Sequence, residues 1–304
     1  MTGMKSETAH ASTATGIHLA RVLSNAPVCR EHYRFVLEAD GFPNARPGQF
    51  LQVLCRDPGD PSWSGGAFIR RPFSIAGLRR KGHRTEIDII HRVLGPGTRW
   101  LARLQPGDAV SILGPQGNAF TIVADRPVAY LVGGGVGLPP ILWLAEAVGQ
   151  AGQRAIAFSG ARTADLLPLG RREDQVVQPG EPGLVLEEFA RFDTPAVVCT
   201  DDGSLGARGM IPEVFERYLE RHRQEAASAA VYTCGPEAMM GAVARISQKH
   251  GLPCQVCMER MMACGMGTCQ SCVVPIQDAS DPVGWRYKLC CTDGPVFDGR
   301  QVVW

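Results

Sequence analysis

Three observations predict an α+β multidomain chain: an antiparallel β-barrel, then an α/β domain on a parallel sheet, then a cysteine-rich C-terminal segment. Up to about Ala124, short alternating segments are separated by turn signals such as PGDPSWSGG and GPG. From Arg126, continuous apolar runs alternate with helical spacing, the rhythm of a parallel sheet. Of 11 cysteines, seven lie between Cys254 and Cys291. At about 150 residues per domain, 304 residues suit two domains with a sizeable core.

Residues 1–16 are polar, lack an apolar signal-peptide core and read as a disordered tail. His32–Glu38, Gln49–Cys55, Thr85–Val93 and Ala109–Leu113 read as barrel strands. Val128–Val132 reads as a buried strand, followed by a glycine loop and a helix through Leu142–Val148. Ala155–Phe158, Ala196–Val198 and Ala230–Tyr232 read as further buried strands. The expected divisions are a tail at 1–16, a barrel at 17–125, an α/β domain at 126–248 and a cysteine-rich segment at 249–304.

Composition excludes several classes. Hydrophobic residues at 45% and charged residues at 20% are not those of a disordered chain. A net charge of +1 argues against a strongly basic nucleic-acid binder. The uncharged run Pro127 to Ala145 contains three prolines and four glycines, which argues against a membrane helix. With no secretion signal, clustered thiols point to metal or redox chemistry rather than disulfides, and to the cytoplasm.

The most specific motif is Cys264-Gly-Met-Gly-Thr-Cys269-Gln-Ser-Cys272, the C-x4-C-x2-C spacing of plant-type [2Fe–2S] sites. Gly265 and Gly267 let the backbone curl and aim N–H groups at sulfur. The fourth ligand is Cys290 or Cys291, and spacing alone does not choose. A zinc ribbon from Cys254, Cys257, Cys269 and Cys272 is the rival. Its central spacing is short, and Cys254 and Cys257 on a strand would point to opposite faces.

The loop Gly133-Gly134-Gly135-Val136-Gly137 between strand and helix suits close approach of a pyrophosphate. It lacks the acidic residue about 20 positions on that completes a Rossmann fingerprint. Arg71-Pro72-Phe73-Ser74, Ile90-His91-Arg92 and Gly97-Thr98 could hold a second phosphate-bearing cofactor. Cys234-Gly235-Pro236 and Thr200-Asp201-Asp202-Gly203-Ser204 close strands at the edge where α/β sheets bind ligands.

Taken in order, RPFS, HRVLGPGT, GPQGNAF, GGGVG and CGP resemble the ferredoxin–NADP reductase superfamily. With MERMMACGMGTCQSCVV, CTDGPVFDG and CTDDGSLGARG, the chain is similar to the electron-transfer subunits of NAD-linked dihydroorotate dehydrogenases. The resemblance implies a flavin-binding barrel, a nicotinamide-binding α/β domain and a C-terminal [2Fe–2S] segment. It implies that FAD is held by Arg71, Pro72, Phe73, Ser74, Ile90, His91, Arg92, Gly97 and Thr98, with His91 where the family carries tyrosine. It implies NAD at Gly133, Gly134, Gly135, Gly137, Cys234, Gly235 and Pro236. It selects Cys291, with Cys264, Cys269 and Cys272, as the cluster ligands, leaves Cys254 and Cys257 without a metal role, and marks Asp57–Gly66 as a loop insertion.

The implied activity is electron relay from a partner's flavin through cluster and FAD to NAD⁺ in pyrimidine biosynthesis. The implied partner is the FMN-bearing catalytic subunit that oxidises dihydroorotate, in a heterotetramer. No nucleic acid, membrane or acid–base catalytic residue is expected. The alternatives are the small subunit of a ferredoxin-dependent transhydrogenase or sulfide dehydrogenase, or a zinc-stabilised binding module. Asp201 and Asp202 at the ribose would favour NAD, and Arg162 would favour NADP.

Overall fold

Strand pairing in the first lobe is antiparallel throughout, as short alternating segments joined by tight turns require. The computed structural model describes residues 15–57, 59 and 67–304. Most of the 1–16 tail and of the Asp57–Gly66 insertion lies outside the described residues. The lobe comprises β1 (Gly16–Cys29), β2 (His32–Asp40), β3 (Phe50–Val53), β4 (Arg71–Ser74), β5 (Gly77–Lys81), β6 (Arg84–Arg92), the short helix α1 (Pro96–Leu101) and β7 (Ala109–Gln116). The strands curl in the order β4-β3-β7-β1-β2-β6-β5, which leaves β4 as an edge. Inside, Phe35 faces Ile89 and Leu37 faces Ile87 across the β2–β6 ladder, each at most 1% exposed. The long β1 was not expected. Its outer residues Ile17 and Leu19 are apolar and exposed, so its pattern lacks clean alternation.

The second lobe comprises β8 (Val128–Gly134), α2 (Leu138–Gln150), β9 (Arg154–Ala161), α3 (Glu187–Ala190), β10 (Ala196–Thr200), β11 (Ala207–Arg208), α4 (Ile211–Arg221), α5 (Arg223–Ala226), β12 (Ala229–Cys234), α6 (Glu237–Lys249) and β13 (Cys254–Cys257). After β13 come β14 (Val273–Gln277), β15 (Trp285–Leu289) and β16 (Val296–Asp298). The sheet order is β11-β10-β9-β8-β12-β13-β16, parallel except where β16 returns against β13. Helix α4 shows how sequence drives this layer. Ile211, Val214, Phe215, Tyr218 and Leu219 recur at helical spacing and are all buried. Each apolar side chain contributes about 1.5–3 kcal/mol by leaving water.

The expected division at 248 does not follow the sheet. β13 and β16 lie beyond it, yet they complete the same hydrogen-bonded layer. The reason is apolar alternation at the sheet's far side: Cys254 and Val256 pack in one core cluster, Cys257 in the opposite one. This also places Cys254 and Cys257 on opposite faces, as the strand reading required. β14 and β15 form a separate two-stranded hairpin.

Candidate functional site

The hairpin brings the distant cysteines together. Val273 pairs with Leu289, and Cys290 N donates to Cys272 O at 2.8 Å, so Cys272 and Cys290–Cys291 sit side by side at its base. Adjacent residues on an extended strand point to opposite faces, which would set Cys290 and Cys291 apart. They lie instead in the turn after β15, and they still diverge. The Cys290 thiol is fully buried and donates to Met258 O at 3.3 Å. The Cys291 thiol lies beside Cys272 and meets the Gly267 N–H; burial and Cys272 push it up to about 11. In the loop, Met266 N and Cys269 N donate to Cys264 Sγ at 3.4 and 3.3 Å. Exposed Cys269 is drawn down to about 6 by the Ser271 hydroxyl and backbone, with Cys264 adding to the effect. The four thiols thus come as two neighbouring pairs, Cys264 with Cys269 and Cys272 with Cys291. Among the described residues no three ligating side chains converge as a single-ion site. Paired soft thiolates with backbone N–H groups aimed at sulfur fit a two-iron cluster, which takes two ligands per iron.

On the barrel, the edge strand β4 leaves Arg71, Pro72, Phe73 and Ser74 all half-buried. Arg70 anchors its start: Nη1 donates to Ser111 O at 2.9 Å and Nη2 to Ser111 Oγ at 2.8 Å. Among the described residues Arg71 contacts the carbonyls of Ile69 and Arg70 at 3.3 Å, a long geometry that a phosphate could replace. Other residues expected at the flavin have different surroundings. Ile90 is 4% exposed and packs toward the second lobe. His91 follows Ile87 and Ile89 into the barrel, because alternate residues share a face. It is 2% exposed, stacked on Tyr33 at 5.8 Å and edge-on to Phe73 at 6.0 Å, so it backs Phe73 rather than offering a ring face. Neither ring nitrogen has a partner among the described residues. Arg92 is committed to Glu31, at 2.9 and 2.7 Å. A Cβ on Gly97 would fall 3.1 Å from Cys55 Cβ and 3.2 Å from Ala67 Cβ, so this glycine serves helix packing. Thr98 Oγ1 accepts from Leu94 N and Gly95 N, closing the turn that starts α1.

The order in which strands are added to the second sheet reverses at β8: β9 and β10 lie on one side, β12 on the other. The loops after β8 and β12 therefore flank the crevice where open α/β sheets hold ligands. They touch. A Cβ on Gly137 would overlap the carbonyl of Cys234, one on Gly235 would meet Met239 Cε at 2.8 Å, and one on Gly134 would meet Met239 Sδ at 2.8 Å. Gly133 is constrained by Leu138 at 2.7 Å. Gly135 alone in the loop has φ +54° and no heavy atom within 4 Å of an added Cβ, which leaves room for a ligand. Cys234 is fully buried, its thiol pushed well up by Cys257 and by burial, so backbone rather than sulfur faces the crevice. Nearby, Asp201 N donates to Ala161 O and Asp202 N to Arg162 O, which sets those loops side by side. The Asp202 carboxylate accepts from Ser204 N and Oγ, which lowers its pKa.

Sequence reasoning did not find the residues that join the lobes. Gln52 and Gln116 face the cysteine loop, and Asn118 Nδ2 donates to Asp293 O and Val296 O while Oδ1 accepts from Val296 N. The signal available was GPQGNAF, which holds Gln116 and Asn118.

Fold and site together define a reductase with a flavin barrel, a nicotinamide crevice and an appended iron–sulfur segment. A family model described as the iron–sulfur cluster binding domain of dihydroorotate dehydrogenase B matches residues 259–303. One described as a siderophore-interacting FAD-binding domain matches residues 39–119. The dihydroorotate dehydrogenase B (NAD(+)) electron transfer subunit of Caldanaerobacter subterraneus is 34% identical over 93% of this chain and 97% of its own. That of Bacillus caldolyticus is 35% identical over 85% of this chain and 87% of its own. The chain belongs to the family of dihydroorotate dehydrogenase B (NAD(+)) electron transfer subunits. Among solved structures, a chain of NADH-dependent reduced ferredoxin–NADP oxidoreductase superposes with TM-score 0.71 at 25% identity, covering 94% of this chain and 90% of that one. An Amycolatopsis cytochrome P450 reductase superposes with TM-score 0.59 at 20% identity, covering 79% and 67%, and shares the fold.

Proposed function

We propose that this chain carries electrons from a dihydroorotate-oxidising FMN subunit to NAD⁺ in pyrimidine biosynthesis, as its family does, within a cytoplasmic heterotetramer. The observation that carries the reading is the seating of a four-thiol segment against strands β3 and β7 of a flavin-type barrel in one chain. When bound, the cluster supplies one-electron transfer, and FAD links it to the two-electron chemistry of NAD⁺. Cys264, Cys269, Cys272 and Cys291 would hold the cluster, supported by their pairing and by the N–H groups aimed at sulfur. Arg71 would bind FAD phosphate, with Pro72, Phe73 and Ser74 lining the isoalloxazine. Gly135 would admit the NAD pyrophosphate beside the Cys234–Pro236 turn. Among the described residues no helix is long and apolar enough to cross a membrane.

The test is co-purification with a candidate dihydroorotate-oxidising subunit, followed by NAD⁺ reduction with dihydroorotate. A brown complex that reduces NAD⁺ supports the reading; a loaded complex that does not refutes it. The overlay on a ferredoxin–NADP oxidoreductase chain favours a second reading, a transhydrogenase-type subunit. NADPH-linked ferredoxin reduction without dihydroorotate activity would select it.

A further inference from the structure

Two buried glutamines on the barrel meet the cysteine loop. Gln52 lies on β3 directly opposite Pro72 of β4, and Gln116 ends β7. They are 0% and 5% exposed. Gln116 Nε2 donates to Gly265 O at 2.8 Å, and Gln52 Nε2 donates to Met262 Sδ at 3.7 Å. Gly265 lies flat on Gln52: an added Cβ would fall 2.8 Å from Cγ and 2.9 Å from Cδ, at φ +70°. The Gln52 side chain therefore lies between the loop and the β3–β4 ladder, opposite Pro72. The Oε1 atoms of both glutamines lack a partner among the described residues. Buried amides with one unsatisfied oxygen each cost stability, so packing alone would favour leucine here.

We propose that Gln52 and Gln116 are positioning residues that seat the Cys264–Cys272 loop on the barrel and fix how the cluster faces the flavin strand. The inference rests on the reading under Proposed function. An amide suits the task because it can donate to the Gly265 carbonyl at a dry contact. Glutamate of the same shape would set lone pairs against that carbonyl, and leucine would leave it without a donor. Asn118 grips the other limb, beyond Cys291, so the barrel holds the segment on both sides of the thiols.

The test uses the full chain loaded with FAD and cluster, comparing Gln116→Glu, Gln116→Leu and Gln52→Leu with the unsubstituted protein. Amide exchange is followed across 262–268 and across the rest of the chain. The cluster midpoint potential is read by electron paramagnetic resonance, with iron and FAD quantified. Loss of one buried hydrogen bond should speed exchange in 262–268 by roughly tenfold, with the barrel unchanged, and should shift the cluster potential. Wild-type exchange and potential in all three variants would overturn the proposal. So would exchange that rises equally throughout the chain, since that marks general destabilisation. Should Gln116→Leu fail to fold, the isosteric Gln116→Glu and Gln52→Leu carry the same test. If the unsubstituted chain binds no iron, the functional reading falls and this inference with it.

Discussion

Gly135 and Gly137 sit two residues apart and should respond oppositely to alanine. At Gly137 the new Cβ would overlap the backbone of Cys234 and Gly235, and no flexible atom can give way. Overpacking of that kind costs about 1–3 kcal/mol. At Gly135 the Cβ meets nothing within 4 Å, so the cost is backbone alone, for φ +54°. A left-handed alanine costs roughly 1 kcal/mol, a few degrees in Tm. That methyl, however, would occupy the open space in which the proposed function places the NAD pyrophosphate. Losing one close backbone contact should raise the KM for NADH by roughly tenfold, which is about 1.4 kcal/mol. Gly137→Ala should therefore show the larger drop in Tm, and Gly135→Ala the larger rise in KM per degree lost. Thermal unfolding and NADH-dependent dye reduction, with FAD and iron quantified in each preparation, supply both axes. An unchanged KM in stable, fully loaded Gly135→Ala would refute the placement of the nucleotide.

Arg71→Ala should weaken FAD binding by roughly tenfold without loss of iron, from the charge-assisted hydrogen bond an arginine gives a phosphate; full flavin retention through dialysis would count against it. Cys291→Ser should abolish or destabilise the [2Fe–2S] resonance, while Cys290→Ser keeps it, because a serine hydroxyl can still donate to Met258 O; the reverse result would move the ligand by one residue. Burial drives His91 down to about 4, so the native chain refuses a proton that the unfolded chain accepts from pH 6.5 downward. Its contribution is complete above about pH 6.5 and shrinks by about 3 kcal/mol as pH falls to 4; urea unfolding of His91→Phe should show a flatter acid limb.

What could be read from sequence was local. The strands His32–Asp40, Arg84–Arg92 and Val128–Gly134 announce themselves through alternation or continuous apolar runs. The C-x4-C-x2-C spacing is legible because its three thiols share one short loop. What could not be read depends on partners far along the chain. Gln116 meets Gly265 across 149 positions, and no window of sequence holds both. His91 illustrates the same limit at a single residue. Its motif points to a cofactor, but the two-residue period of β6 turns it into the barrel, and only the paired strand reveals which face is inner. β1 went unseen because Ile17 and Leu19 blur its inside and outside.

The return of β16 against β13 bears on how this protein could be cut or recombined. A cysteine-rich segment at the end of a sequence invites treatment as a removable cassette. Here the polypeptide leaves the central sheet at Cys257, visits the thiols, and re-enters the same sheet at Val296. Excision after α6 would strip β12 of its neighbour and open both core clusters, since Val256 and Phe297 line one and Cys257 and Val296 the other. The iron–sulfur segment is therefore an excursion from the nucleotide-binding layer. A chimera that grafts it elsewhere must carry β12, β13 and β16 along, and a protease that nicks the excursion should leave two fragments that still travel as one particle.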